Sequence, residues 1–425
     1  MYIKNVNMRN YRGYEKMTVE FKPGINLIIG NNGAGKSSLL AGIQSVLGML
    51  FSTTKGLASL NHFQKNDVRI SSKKIGDTTV TYERNYPMYV ECELEYNDEL
   101  LKIKRGVDDE ASIEGGSLVG TNFYRDLVGD SNAIIPLVNY QRFDREWLRN
   151  NAQDKQLNIE IGPTDRLDGL KGTLDDKNID DIISRWCLKM SMIEMERASD
   201  VHEFTVFKII ISCFLKHLME VKSDVEVFYS IEQGGLVFKT DGVNQPIVNL
   251  STGYRAVLSL VMELAYRIVV VNPTINSDLK NYEGIFLIDE IDAHLHPRWQ
   301  WRILESLEQT FPSVQFIIAT HSPMIISSAK NAHIVKIESL ASVTYLPDAF
   351  GMSPDDILEL RQGSINVPSE VKNIKDELDS AFMDEDVTKA DEIMAKAEKK
   401  YGVKSNVYTD LKDVYDINTW MGKDE

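Results

Sequence analysis

Ile25-Asn26-Leu27-Ile28-Ile29-Gly30-Asn31-Asn32-Gly33-Ala34-Gly35-Lys36-Ser37-Ser38 passes from an apolar run into a glycine-rich loop, and then into Leu39, Leu40, Ala41 and Ile43 at helical spacing. Gly30 to Ser37 completes the pattern G-x-x-x-x-G-K-[ST] between a strand and a helix, the order that phosphate binding requires. Glycines let the backbone curl, so that the N–H groups of Asn31, Asn32, Gly33, Ala34, Gly35, Lys36, Ser37 and Ser38, with the helix N-terminus, surround a triphosphate. Lys36 is placed to reach β/γ oxygens, and Ser37 to offer a ligand to Mg²⁺. ATP or GTP binding follows, in preference to an accidental glycine-rich turn.

Far along the chain, Gly284-Ile285-Phe286-Leu287-Ile288-Asp289-Glu290 reads as a buried strand ending in two acids. Asp289 suits the metal side of the site, and Glu290 suits a general base that polarises the attacking water. Leu250-Ser251-Thr252-Gly253-Tyr254-Arg255 precedes a helical pattern (Ala256, Leu258, Leu260, Val261, Leu264, Ala265), so Ser251 and Gly253 sit at a helix N-terminus ready to face an anion. Glu290 follows Ser251 by thirty-nine residues. Phe316-Ile317-Ile318-Ala319-Thr320-His321 is another apolar strand, ending in a histidine able to contact a γ-phosphate.

With these pieces the chain resembles the ABC-type ATPases, and within them the heads of the SMC, RecF and OLD group, over roughly residues 1 to 345. The resemblance implies an α/β P-loop NTPase head with an antiparallel β layer and a helical subdomain. It makes Gly30 to Ser37 the Walker A, Ile285 to Glu290 the Walker B and Ser251 to Tyr254 the signature, which in this family binds nucleotide held by a second subunit. Asp292 falls in the D-loop and His321 in the switch position. Gln141, in Leu137-Val138-Asn139-Tyr140-Gln141, resembles the Q-loop residue that touches Mg²⁺. Arg12, in Asn10-Tyr11-Arg12-Gly13, resembles the early arginine that approaches the phosphates. Thr252 and Tyr254 depart from the Gly and Gln common in transporters, which speaks against a transporter subunit.

At 425 residues and 43% apolar, the chain exceeds one usual domain and carries a single phosphate loop, not two. The first residues lack a secretory pattern and no run of eighteen apolar residues occurs, which places the protein in the cytoplasm away from membranes. Cys92, Cys187 and Cys213 share no C-x-x-C spacing, so neither a disulfide framework nor a zinc site is indicated. Net charge is −16, and half of it lies from Gly351 onward, where 18 acids face 10 bases. Such a chain is a poor polyanion magnet. Its local basic groups are Lys55, Lys65, Arg69, Lys73 and Lys74, in a stretch that reads as a surface loop, and Arg142, Arg145 and Arg149.

The first 50 residues read as two short strands, the loop and its helix, and residues 85 to 106 as alternating strands. Ile179, Ile182, Ile183 and Trp186, then Phe207, Ile210, Ile211, Phe214, Leu215 and Leu218, mark a helical subdomain at about 165–225, interrupted by polar Glu194 to Glu203. Too few residues separate Lys36 from Ser251 for the long coiled coil of an SMC arm. Met190, Met192 and Met195 read as core filler. His294 and His296, two apart, suit no helical zinc site.

A fused nuclease would need a second α/β domain, and only about 80 residues follow the switch strand. They contain Asp384-Glu385-Asp386 within a run, Val371 to Ala397, that reads as a solvated helix without a strand to carry metal ligands. The extension 346–425 therefore reads as acidic and helical, and nuclease activity in this chain is not expected. With the segment Asp348 to Leu358 it resembles the PtuA-type ATPases of Septu anti-phage systems, including versions found beside retrons. That resemblance implies head pairs joined through sandwiched ATP, a separate HNH nuclease of PtuB type as partner, contact with nucleic acid through the complex, and possible association with retron components. Two other readings compete: a RecF-like repair ATPase that clamps DNA itself, and a transporter's ATPase subunit. A clamp would bind DNA alone with steep salt dependence.

Overall fold

The computed structural model describes residues 1–55, 57, 63–75, 79–110, 118–119, 121–130, 132–142, 165–175, 179–221, 223–293, 295–340, 342–358, 369–383, 386–403 and 405–421. It forms two units, 1–357 and 358–425.

The first unit is built on a six-stranded sheet. Leu137–Arg142, Gly284–Asp289, Val314–Ala319, Ile25–Ile29 and His333–Ser339 run parallel in that order, and Ser342–Leu346 closes one edge antiparallel. Every residue of the three central strands is buried, so both faces are covered and the strands read as continuous apolar runs. Two polar residues break those runs, and both are satisfied. Asn26 donates to Lys22 O, Gly24 O and Phe316 O, while Gln315 accepts from Ile3 N at 2.8 Å and donates to Ile3 O at 2.9 Å, sewing the first strand to the central sheet.

A second, antiparallel sheet has the order Tyr14–Glu20, Tyr2–Tyr11, Met88–Tyr96, Glu99–Val107, Leu118–Val119. Met88–Tyr96 alternates between buried and half-buried positions, and the helix Lys36–Leu47 packs on this layer. The approach is close: a Cβ at Gly42 would stand 2.5 Å from Met8 Cε and 3.1 Å from Tyr11 Cε1. The opening segment thus holds three strands where two were expected. Lys4, Asn5 and Arg9 on the open face dilute the apolar signal of the first hairpin.

The lysine-rich stretch expected to be a loop is instead partly ordered. It holds a short 3₁₀ turn, Lys65–Asp67, and the strand Ile70–Ile75, which pairs with Thr79–Arg84. Arg145 and Arg149 lie outside the described residues.

In the helical region, Arg166–Leu170 is followed by Asp180–Arg197 and His202–Met219, which are separated by left-handed Ala198 at the polar interruption seen in the sequence. Trp186 meets Phe204, Phe207 and Tyr266 edge-on at 5.7, 5.1 and 5.3 Å, joining both long helices to the helix Thr252–Val271. Of the three methionines read as core filler, Met190 packs inward, but Met192 and Met195 are exposed. A three-stranded sheet, Glu226–Ser230, Gly235–Thr240 and Val243–Pro246, leads into Thr252–Val271.

The first unit continues past the expected end at 345. Ala349 and Ile357 are fully buried, and Gly351 N donates to Ser327 O at 2.9 Å. In the second unit, Ser369–Met383, Val387–Tyr401 and Asn406–Met421 share a core of Leu378, Ala381, Ala390, Ile393, Ala397 and Leu411. The run read as one solvated helix is therefore two amphipathic helices. Asp386 caps the second by accepting from Lys389 N, and Asp384 and Glu385 lie outside the described residues.

One charged pair lies deep in the first unit. Glu263 and Arg267, both on Thr252–Val271, have side chains 3% and 1% exposed. Arg267 donates to Glu263 at 2.9 Å and to the carbonyls of Gly169, Lys171 and Gly172. Glu263→Ala should destabilise this unit by about 3–5 kcal/mol, because the guanidinium is left buried without its counter-charge. Replacing both residues with apolar side chains of similar volume should cost much less, as checked by denaturant unfolding of the two variants beside wild type.

Candidate functional site

The phosphate loop leaves the C-terminal end of Ile25–Ile29 and enters the helix Lys36–Leu47 through Gly35, whose φ of +109° is a left-handed conformation that disfavours side chains. A Cβ there would collide with the Tyr14 hydroxyl, which donates to Gly35 O at 2.7 Å. The turn between the first two strands is thereby fixed against the loop. The open N–H groups of the first helical turn and the helix dipole make this end attractive to an anion.

Lys36 is buried, with Nζ 2.8 Å from Gly30 O, 3.2 Å from Asn31 O and 3.5 Å from His321 Nδ1. Burial pulls its ammonium down to about 8, against the opposing pull of Asp289, Asp292 and Glu290. His321 is pushed below the usual histidine range by burial and then by Lys36, which favours a neutral imidazole.

Asp289 ends the strand beside Val314–Ala319 and is 1% exposed. Its other neighbour is Leu137–Arg142, paired in register with Ile288 opposite Gln141 and Asp289 opposite Arg142. Gln141 is buried, and its amide nitrogen has no hydrogen-bond partner among the described residues. Turning that amide to present oxygen to a cation would remove the cost of the orphaned group. With the Asp289 carboxylate and the Ser37 hydroxyl, it gives a set of hard oxygen donors that fits Mg²⁺ together with phosphate oxygens.

Glu290 has a φ of +56°, a left-handed conformation that costs a non-glycine residue roughly 1–2 kcal/mol. Such strain persists only where neighbours enforce it. Here Ile291 N donates to Ala319 O, while Asp292 Oδ1 accepts from Thr320 Oγ1 at 2.6 Å and from His321 N at 3.3 Å. The segment after the acids is thus clipped to the strand that carries the histidine.

Ser251 caps Thr252–Val271 by accepting from Tyr254 N, and Ser251 and Thr252 are exposed while Gly253 is buried. Among the described residues, no hydrogen bond or ion pair joins Ser251 or Gly253 to the cluster of Lys36, Asp289, Glu290 and His321. Tyr254 stands edge-on to Trp299 with ring centroids 4.0 Å apart. Trp299, a residue with no signal in the sequence beyond its type, therefore fixes the turn at Ser251 to Tyr254 against the segment that follows Asp292.

Arg12 donates from Nε to Asp67 Oδ1 at 2.9 Å and lies over the Tyr11 ring. Its turn touches the loop through Tyr14, though Arg12 itself makes no hydrogen bond to the loop among the described residues. His296 caps Pro297–Gln300 by accepting from Arg298 N, a structural role, and His294 lies outside the described residues.

A family described as "AAA domain" matches residues 5–194, and one described as "AAA domain, putative AbiEii toxin, Type IV TA system" matches residues 150–327. The chain is 27% identical to the Retron Vc95 probable ATPase of Vibrio cholerae serotype O1 biovar El Tor, over 85% of this chain and 79% of that one. It is 26% identical to Septu protein PtuA of Bacillus thuringiensis, over 77% and 73%. A DNA replication and repair protein RecF of Streptococcus agalactiae is 36% identical, over 18% and 20%. AAA-domain families match two stretches of this chain, and retron ATPases and Septu PtuA are similar to it across most of its length, which together support an ATPase.

Lys36→Ala should abolish ATP binding, as read by titration with a fluorescent ATP analogue. Gln141→Leu should leave metal-free nucleotide affinity within about twofold while raising the Mg²⁺ concentration needed for half-maximal ATPase rate by roughly tenfold. An unchanged Mg²⁺ requirement would remove Gln141 from the metal side.

Proposed function

We propose that this ATPase is an ABC-type member of the SMC/RecF group and serves in bacterial anti-phage defence, where ATP-driven pairing of its heads controls a separate effector nuclease of HNH type. One observation carries the pairing. The groups for phosphate, metal and water chemistry are gathered at one place, while Ser251 and Gly253 stand at a helix terminus with no bond to them among the described residues. A second copy facing this one would bring its signature to the γ-phosphate and complete the site. The alignments with retron and Septu PtuA proteins over most of their lengths support the defence setting.

In the paired state the loop from Asn31 to Ser38 holds the phosphates, and Lys36 exchanges its loop carbonyls for β/γ oxygens. Arg12 approaches from the adjoining turn. Ser37, Gln141 and Asp289 would hold Mg²⁺, which when bound would supply charge neutralisation at the phosphates. Glu290 accepts a proton from water as the water oxygen attacks the γ-phosphorus. The bond from that phosphorus to the bridging oxygen breaks, releasing ADP and phosphate. His321 contacts the γ-phosphate and senses its departure, loosening the pair. No described helix is long and apolar enough to cross a membrane, and we place the protein in the cytoplasm.

A RecF-like clamp is the second reading. The RecF likeness spans 75 residues, and a net charge of −16 argues against a chain that grips DNA alone, so nucleic acid is met through the complex. Glu290→Gln should bind ATP without turnover and trap an assembly of at least two copies. Size-exclusion chromatography with light scattering, in ATP and without it, checks this; identical masses in the two conditions would refute pairing.

A further inference from the structure

Asp67 lies outside every motif, yet both its backbone and its side chain bond to Arg12 on the phosphate-side turn. Its carbonyl accepts from Arg12 N at 2.6 Å, its Oδ1 accepts from Arg12 Nε at 2.9 Å, and its Oδ2 accepts from Gln64 N at 2.9 Å. The last bond belongs to a capping box that fixes Asp67 on the turn Lys65–Asp67. Around it the same segment is stitched to the same turn: Val68 bridges Tyr11, Arg69 N donates to Asn10 O at 2.9 Å, and the Phe63 ring lies 5.6 Å from the Tyr11 ring.

Arg12 needs such support. It has a φ of +49°, as does Asn10, so both flanks of Tyr11 sit in the left-handed region that costs a non-glycine residue energy. The turn also borders the phosphate loop. Tyr14 donates to Gly35 O, and Cβ atoms built on Gly13 and on Gly35 would both meet the Leu340 side chain. Asp67 takes Nε of the guanidinium, with the Tyr11 side chain as another neighbour, and the bond to Asp67 engages neither Nη group. A carboxylate on Nε fixes the plane of the fork and leaves the Nη donors for a second anion.

We propose that Asp67 is a positioning residue, which holds the Arg12 guanidinium so that its Nη groups meet the triphosphate of bound ATP. This rests on the reading of Arg12 as a phosphate contact. Asp67 itself touches no nucleotide and acts only through Arg12.

The test is a double-mutant cycle on the full chain, with Arg12→Ala, Asp67→Asn and the double variant, reading the dissociation constant of a fluorescent ATP analogue in Mg²⁺. Measurements are made at a temperature where circular dichroism shows all four proteins folded. Arg12→Ala and Asp67→Asn should each weaken binding about tenfold, and the double variant should be no weaker than Arg12→Ala alone. Asp67→Glu, which keeps the charge, should recover affinity to within about threefold of wild type and serves where Asp67→Asn does not fold. Wild-type affinity in Arg12→Ala would overturn the Arg12 reading itself. Weakening by Arg12→Ala but not by Asp67→Asn would overturn the role of Asp67 alone. Multiplicative losses in the double variant, tighter binding by Asp67→Asn, or binding by Asp67→Glu as weak as that of Arg12→Ala would likewise show that Asp67 does not work through Arg12.

Discussion

A buried ammonium sets the terms for the rest of this molecule. Lys36 keeps its charge out of water by bonding to the carbonyls of its own loop, within the field of Asp289, Asp292 and Glu290. The three acids favour the charged lysine and oppose an incoming triphosphate. Phosphate binding therefore requires compensation from several sources at once: the helix N-terminus, Lys36 released from its carbonyls, and a divalent cation. The acids explain why metal and nucleotide should enter together, since either alone leaves charge unbalanced in a partly buried site.

Sheet order delivers these groups to one edge. Leu137–Arg142, Gly284–Asp289, Val314–Ala319 and Ile25–Ile29 are parallel neighbours, so their carboxyl ends place Gln141, Asp289 with Glu290, His321 and the phosphate loop in a row. Three inter-strand spacings make the row roughly 14 Å long, a span that suits a triphosphate with its metal. Open α/β sheets bind ligands at this edge because strand ends and helix N-termini meet there.

The central strands and the loop were legible because burial on both faces writes mostly apolar runs, and because Gly33 and Gly35 hold a left-handed backbone that disfavours side chains, with Tyr14 also filling the space a side chain on Gly35 would need. Ser251 was legible as a helix cap for a similar local reason. What escaped depends on contacts distant in sequence. Asp67 is 55 residues from Arg12 and sits among ordinary turn residues, and Trp299 matters only because folding brings Tyr254 to its ring. The hairpin after Asp67 was misread because Ser, Lys and Thr on an exposed ribbon carry no apolar alternation. The extension was legible as helical, but the small core that divides its run Val371 to Ala397 into two helices was not, because Leu378, Ala381, Ala390 and Ile393 are few among many charges, yet enough for three short helices to share a core.

The helix Thr252–Val271 and the strand Leu137–Arg142 are joined by the same electrostatic rule that governs Lys36. Asn139, two residues before Gln141, donates to Glu263 at 3.4 Å, and Tyr140 N donates to Thr173 O at 2.8 Å in the loop whose earlier carbonyls hold Arg267. Sliding the helix that begins at Ser251 against this strand would strip a buried guanidinium of its acceptors, at a cost far above that of shifting apolar contacts. The strand Leu137–Arg142 and the helix Thr252–Val271 are therefore tied to each other through Glu263. Gln141 and Ser251 thus belong to two elements that meet in one buried network centred on Glu263.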